Sequence, residues 1–154
     1  MEPNQRRGSS SLAAALQRYL HSRSAAMIDA RRELRINDLD ARALLYVADH
    51  PGTRPGALSA FLGITSAGVT TLIDRLVKRG AVRRDVDPDD RRVNRLTATV
   101  DLSAAPWSAL TRFDEAFHLA TTEAGDPHLI EQLVAALDDC TNAAAEASAR
   151  PPRF

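Results

Sequence analysis

A chain of 154 residues and 16.7 kDa is long enough for one compact domain with a core, or for a small domain with helical extensions, and too short for two large ones. Hydrophobic residues at 44% and charged residues at 26% are ordinary globular values, which argue against disorder and fibrous repeats. No apolar run nears the roughly 18 residues of a bilayer span, the start MEPNQRRGSSS lacks the apolar centre of a secretion signal, and a lone cysteine, Cys140, excludes an internal disulfide. A cytoplasmic protein with no membrane association is expected.

The net charge is zero, but its distribution is uneven. Residues 1–50 hold 8 basic and 6 acidic side chains, residues 51–100 hold 9 and 5, and residues 101–154 hold 3 and 9. The middle of the chain is therefore the candidate polyanion-binding region, and the last third is not.

The spacing predicts a first helix over 9–35, with serines 9–11 as N-cap candidates and Leu12, Leu16, Tyr19 and Leu20 recurring at helical intervals. Asn37 is placed to cap a second helix in NDLDARALLYVADH, with Ala43, Leu44, Val47 and Ala48 on one side and Pro51-Gly52 after it. A short third helix fits PGALSAFLG, with Pro55 in its first turn and Gly63 at its close. A fourth runs from the Thr65 N-cap to Gly80, turning Val69, Leu72, Ile73, Leu76 and Val77 inward. Two short helices joined by a few residues, the second amphipathic and capped, make a helix-turn-helix.

Next come AVRRDV and VNRLTATV, two segments of strand-like composition around DPDDRR, whose residues have turn chemistry. A hairpin directly after a helix-turn-helix is a winged helix. Two further helices are expected at Ser103 to about Ala124 and Pro127 to about Ala147, broken at Gly125-Asp126, with RPPRF as a tail.

Turning the apolar stripe of the fourth helix inward leaves Ser66, Ala67, Thr70, Thr71, Asp74, Arg75 and Lys78 outward. Small and hydroxyl-bearing residues let a helix backbone approach base edges in a major groove. Arg75 and Lys78, a turn or two later, suit flanking phosphates. In the hairpin tip, a carboxylate next to an arginine can aim its guanidinium into a narrow minor groove. The plain alternatives are a solvated helix face and a hairpin carrying scattered ion pairs, each pair contributing about 0 to 1 kcal/mol.

From Asn37 to Arg92 the chain resembles the winged-helix domain of the MarR (multiple antibiotic resistance regulator) family, through ARALLYVADHPG, PGALSAFLGITSAGVTTLIDRLVKRGAVRR and DPDDRR. The resemblance implies a recognition helix from Ser66 to Arg79, with Ser66, Ala67, Thr70 and Thr71 nearest the bases. It also implies Arg92 as the wing arginine in the minor groove, Asp90 as the acid that positions it, and Arg91 close to the DNA backbone. It further implies a homodimer whose first and last two helices interlock. The chain departs from the family pattern where Leu96-Thr97 arrives early and DLSAAPW lacks the glycine that usually follows, and where Arg54 replaces a capping Thr or Ser.

Many members of the family bind small aromatic or phenolic effectors, for which Tyr19, His21, Tyr46 and Trp107 are candidates by composition. Cys140 reads as a buried small hydrophobe. The pairs Glu115/His118 and His128/Glu131 have helical i, i+3 spacing but no third ligand to make a metal site, so neither metal nor another cofactor is expected. No P-loop, nucleophile elbow, zinc-hydrolase or dinucleotide signature is present, which argues against an enzyme.

The resulting fold class is mainly α with a small β-hairpin wing. A dimerisation helix is assigned to 9–35, a winged helix-turn-helix DNA-binding domain to 36–100, dimerisation helices to 101–148, and a tail to 149–154. The expected function is a homodimeric, ligand-responsive repressor on a double-stranded, pseudo-palindromic operator. The alternatives are a dimeric protein-interaction module that has lost DNA binding, and a metal or redox sensor of the same fold.

Overall fold

Six helices and one hairpin follow each other in a computed structural model that describes residues 5–86 and 94–149. They are α1 (Gln5–Leu34), α2 (Asp38–Asp49), α3 (Pro55–Leu62), α4 (Ser66–Lys78), β1 (Val82–Val86), β2 (Asn94–Ala98), a 3-10 turn (Trp107–Leu110), α5 (Arg112–Ala124) and α6 (Pro127–Ala149). The chain divides into two compact units between Phe113 and Asp114. No single helix among the described residues is long and apolar enough to cross a membrane.

Local chemistry sets the boundaries in the first unit. The Asn37 side chain accepts the Asp40 N–H at 2.8 Å, and the Thr65 hydroxyl accepts the Gly68 N–H at 3.2 Å, so α2 and α4 both start at side-chain caps. Gly63 and Gly80 end α3 and α4 at φ 66° and 68°, a left-handed conformation that a side chain resists. Arg54 precedes α3 without a side-chain cap hydrogen bond, as expected from its replacing a Thr or Ser.

The core gathers Leu44 and Val47 of α2, Leu58 of α3, Val69, Leu72, Ile73 and Leu76 of α4, and Leu96 of β2, all nearly inaccessible to solvent. Strands β1 and β2 pair antiparallel, with Val82 opposite Ala98 and Val86 opposite Asn94. A short bridge joins Thr53 to Leu96, whose N–H donates to the Thr53 carbonyl at 2.8 Å and whose carbonyl accepts from Gly52 at 2.9 Å. Leu96 thus ties the base of the hairpin to the loop before α3.

Three helical expectations change. Helix α1 starts before serines 9–11, which lie inside it, because a helix nucleated by the apolar repeat downstream propagates through residues of moderate propensity. Val77 is exposed at 36% rather than inward, since the stripe of α4 is already filled by Val69, Leu72, Ile73 and Leu76. The helix expected from Ser103 begins only at Arg112. Before it, the Asp101 carboxylate accepts from both the N–H and the hydroxyl of Ser103, and Pro106, which has no N–H, blocks continuous helix through 101–106.

Beyond the first unit, α5 and α6 follow each other across a break at Gly125 and Asp126. A Cβ placed on Gly125 would stand 2.8 Å from Ile130 and 2.9 Å from the Thr121 carbonyl, so only glycine fits there. Cys140 is exposed on α6 and not buried, and among the described residues α6 has no buried side chain.

Candidate nucleic-acid interface

The outward face of α4 carries Ser66, Ala67, Thr70, Thr71 and Lys78, all exposed. Thr70 and Thr71 donate their hydroxyl protons to the carbonyls of Ser66 and Ala67, at 2.9 and 3.1 Å. Each hydroxyl oxygen keeps lone pairs for an outside donor such as a base amino group, and rotation of the hydroxyl would let it donate instead. The first two turns of α4 therefore offer a low surface of small side chains with polar capacity.

Arg75, expected at a flanking phosphate, has a partner within the protein. Its Nε and Nη2 face the Asp40 carboxylate at 3.3 and 2.6 Å, joining α4 to α2. Asp40 is 4% exposed, and a carboxylate so enclosed needs a cation. The same hydrogen bond is the main cause that raises the Arg75 pKa further above its ordinary value. Arg75 is thus half-exposed but occupied in holding the helix. Its acidic partner was legible in outline, since Asp40 stands four residues before Leu44 and seven before Val47, inside the apolar stripe of α2.

The arms of the hairpin have two unlike faces. One carries Val82, Leu96 and Ala98 against the core, with Arg84 further out, where its Nη2 meets Asp74 of α4 at 2.5 Å. The other is polar: Asp85 accepts from the Thr97 hydroxyl at 2.8 Å and from Arg83 Nε at 3.0 Å. Asp74 and Arg84 went unrecognised in the sequence because their pairing crosses from helix to strand. Asp90, Arg91 and Arg92, expected at the tip, lie outside the described residues.

The four effector candidates occupy distinct settings. Tyr19 packs on Phe113 with ring centroids 5.7 Å apart, and Tyr46 is stacked between His50 and Phe61 at 4.3 and 4.2 Å. His21 lines a shallow groove on α1, and Trp107 packs against the core. None of them lines the cavity of about 390 Å³ between α1 and α2. Its lining includes Leu20, Met27 and Leu45 together with Arg23, Arg31, Arg42 and Asp38, in a region the composition did not single out.

Among the described residues there is no cluster of three or more His, Cys, Asp or Glu side chains suited to a metal. His118 and Glu131, from different sequence pairs, line one cavity of about 280 Å³ between α5 and α6, while His128 Nε2 accepts from the Gln132 amide at 3.0 Å.

Residues 36–93 match the model of the MarR family. Among solved structures, MepR of S. aureus bound to ethidium bromide is similar at a TM-score of 0.63 and 16% identity, covering 85% of this chain and 94% of that one. A MepR mutant of S. aureus bound to an oligodeoxyribonucleotide aligns at 0.58 and 17%, covering 86% and 96%. The YusO protein from Bacillus subtilis aligns at 0.62 and 15%, covering 91% and 99%. At these identities the likeness is one of fold. No curated protein sequence matches the chain.

Proposed function

We propose, from the match of residues 36–93 to the MarR-family model and from the winged-helix fold, that this chain is a sequence-specific DNA-binding repressor. It acts in the cytoplasm as a homodimer on a pseudo-palindromic operator. The observation that carries this reading is the exposed, small-residue face of Ser66, Ala67, Thr70 and Thr71 beside a wing whose arms are rich in arginine. Each subunit places α4 in a major groove, and the two half-sites lie about 34 Å apart, one helical turn of DNA. Lys78 serves flanking phosphates, and Arg75, while paired with Asp40, supports the helix rather than the DNA.

At the wing tip, Arg92 reaches the minor groove, Asp90 orients it and Arg91 lies near the backbone, by resemblance to the family. The dimer is supported by apolar side chains left partly exposed in the single chain: Leu12, Leu16, Leu20 and Ile28 on α1, and Leu129, Leu133 and Val134 on α6. MepR, similar in fold, has been captured with an oligodeoxyribonucleotide and with ethidium bromide. The cavity between α1 and α2 is of a size that holds a small molecule, and its arginines suit an aromatic or phenolic anion as effector.

The test is Arg92→Ala on genomic fragments selected by the wild-type protein. Operator affinity should fall by about 1 to 3 kcal/mol with thermal unfolding unchanged. Unchanged affinity would remove the wing from the interface, and failure of the wild type to select any fragment would favour a protein-interaction module.

A further inference from the structure

Arg79 follows the last residue of α4, about 20 Å along the helix axis from Ser66. Its guanidinium leaves α4 altogether. Nη1 donates to the Leu34 carbonyl at 3.1 Å, and Nη2 donates to the Arg35 carbonyl. These are the carbonyls at the C-terminal end of α1, where a helix has acceptors without partners of its own and attracts a cation. The chain turns there through Arg35 at φ 53°, a left-handed conformation usually given to glycine. A side chain 44 residues away thus completes the end of α1.

Two other links close a circuit with this one. Arg31 of α1 pairs with Asp38 of α2, and Asp40 of α2 holds Arg75 of α4. Arg79 returns from α4 to α1. The three helices are therefore joined pairwise by polar contacts over a shared apolar core, and α4 is held at two places one turn apart.

We propose that Arg79 is a positioning residue for DNA recognition, setting the angle of α4 by fastening its end to the terminus of α1, rather than a contact to phosphate. The assignment rests on the DNA-binding reading above. It gives the end of α1 a direct mechanical hold on the recognition helix.

The test is operator binding by full-length Arg79→Ala and Arg79→Lys across a salt series, on fragments selected by the wild type. Loss of a phosphate contact lowers the slope of log K against log salt by about 0.9, whereas loss of positioning lowers affinity at an unchanged slope. Arg79→Ala should bind about three- to thirtyfold more weakly, the range of couplings carried through packed networks, with the wild-type slope. Arg79→Lys keeps the charge but not the fork that spans two carbonyls, so it should also bind more weakly. It carries the test if the alanine variant does not fold.

A reduced slope in Arg79→Ala, or a weakened Arg79→Ala beside wild-type affinity in Arg79→Lys, would assign the residue to phosphate and overturn the proposal. Unchanged affinity in both variants would leave Arg79 as a helix cap alone. Absence of selected DNA for the wild type would instead defeat the DNA-binding reading itself, and the positioning role with it.

Discussion

Asp85 accepts a hydrogen bond from the Thr97 hydroxyl and another from Arg83, and these hold its carboxyl below the ordinary aspartate range, with Thr97 the larger cause. Because the folded pKa lies below the unfolded value of about 3.9, the contribution of these bonds is complete above that value and is lost as pH falls through the folded pKa. The wing arms should therefore loosen only under acid, below about pH 4. In a carboxyl NMR titration, Thr97→Val should move the Asp85 midpoint upward toward an ordinary aspartate. A midpoint that stays put would assign the shift to Arg83. The abundance of arginine and aspartate between residues 82 and 97 looks self-cancelling as a string, but the strand register gives the charges separate tasks. Asp85 orders Arg83 within the hairpin, and Arg84 reaches back to Asp74 on α4.

Between elements, Leu96 is the most deeply buried of the side chains that hold the wing, beside Val82, Ala98, the Arg84–Asp74 contact and a few backbone bonds. Leu96 is fully buried, pairs with Arg84 across the hairpin and bridges to Thr53 before α3. Leu96→Ala should cost about 2 to 5 kcal/mol in chemical denaturation, the range for truncating a buried leucine. A cost under about 1 kcal/mol would mean that the backbone bridge anchors the wing without the side chain. The elements were largely legible in the sequence because their signals are local: Asn37 and Thr65 as caps, Gly63 and Gly80 as stops, and the alternation on either side of the turn. The boundary missed at Ser103 had a local signal too, since Pro106 stands inside the span assigned to helix. For the Asp40–Arg75 and Arg79–Leu34 contacts, 35 and 45 residues apart, local sequence marked at most the burial of Asp40 and never the partner.

For the whole molecule, the partly exposed leucines of α1 and α6 set the expectation. Static light scattering at micromolar concentration should give twice 16.7 kDa. Leu133→Asp should shift the population toward monomer, because an unpaired carboxylate opposes burial of that face. A wild-type monomer would remove the second copy and, with it, the paired major-groove geometry. The acidic last third and the basic middle fit the proposed dimer, in which helices meeting another copy would need no positive charge for DNA.

The sequence by itself determined most of the helices, the two arms of the hairpin and the inward turn of Val69, Leu72, Ile73 and Leu76 on α4, though not the exposure of Val77 or the start of α5. Those properties follow from the periods of helix and strand and from capping groups, all of which act within a few residues. Tertiary structure alone decided which charges are spent on the fold. Arg75 is drawn to a carboxylate that cannot stay buried unpaired, Arg79 to the carbonyl acceptors at the end of α1, and Arg84 to an acid one helix away. An arginine written in sequence is the same whether it meets a phosphate or a buried aspartate. Only the packing of distant segments determines which partner lies within reach.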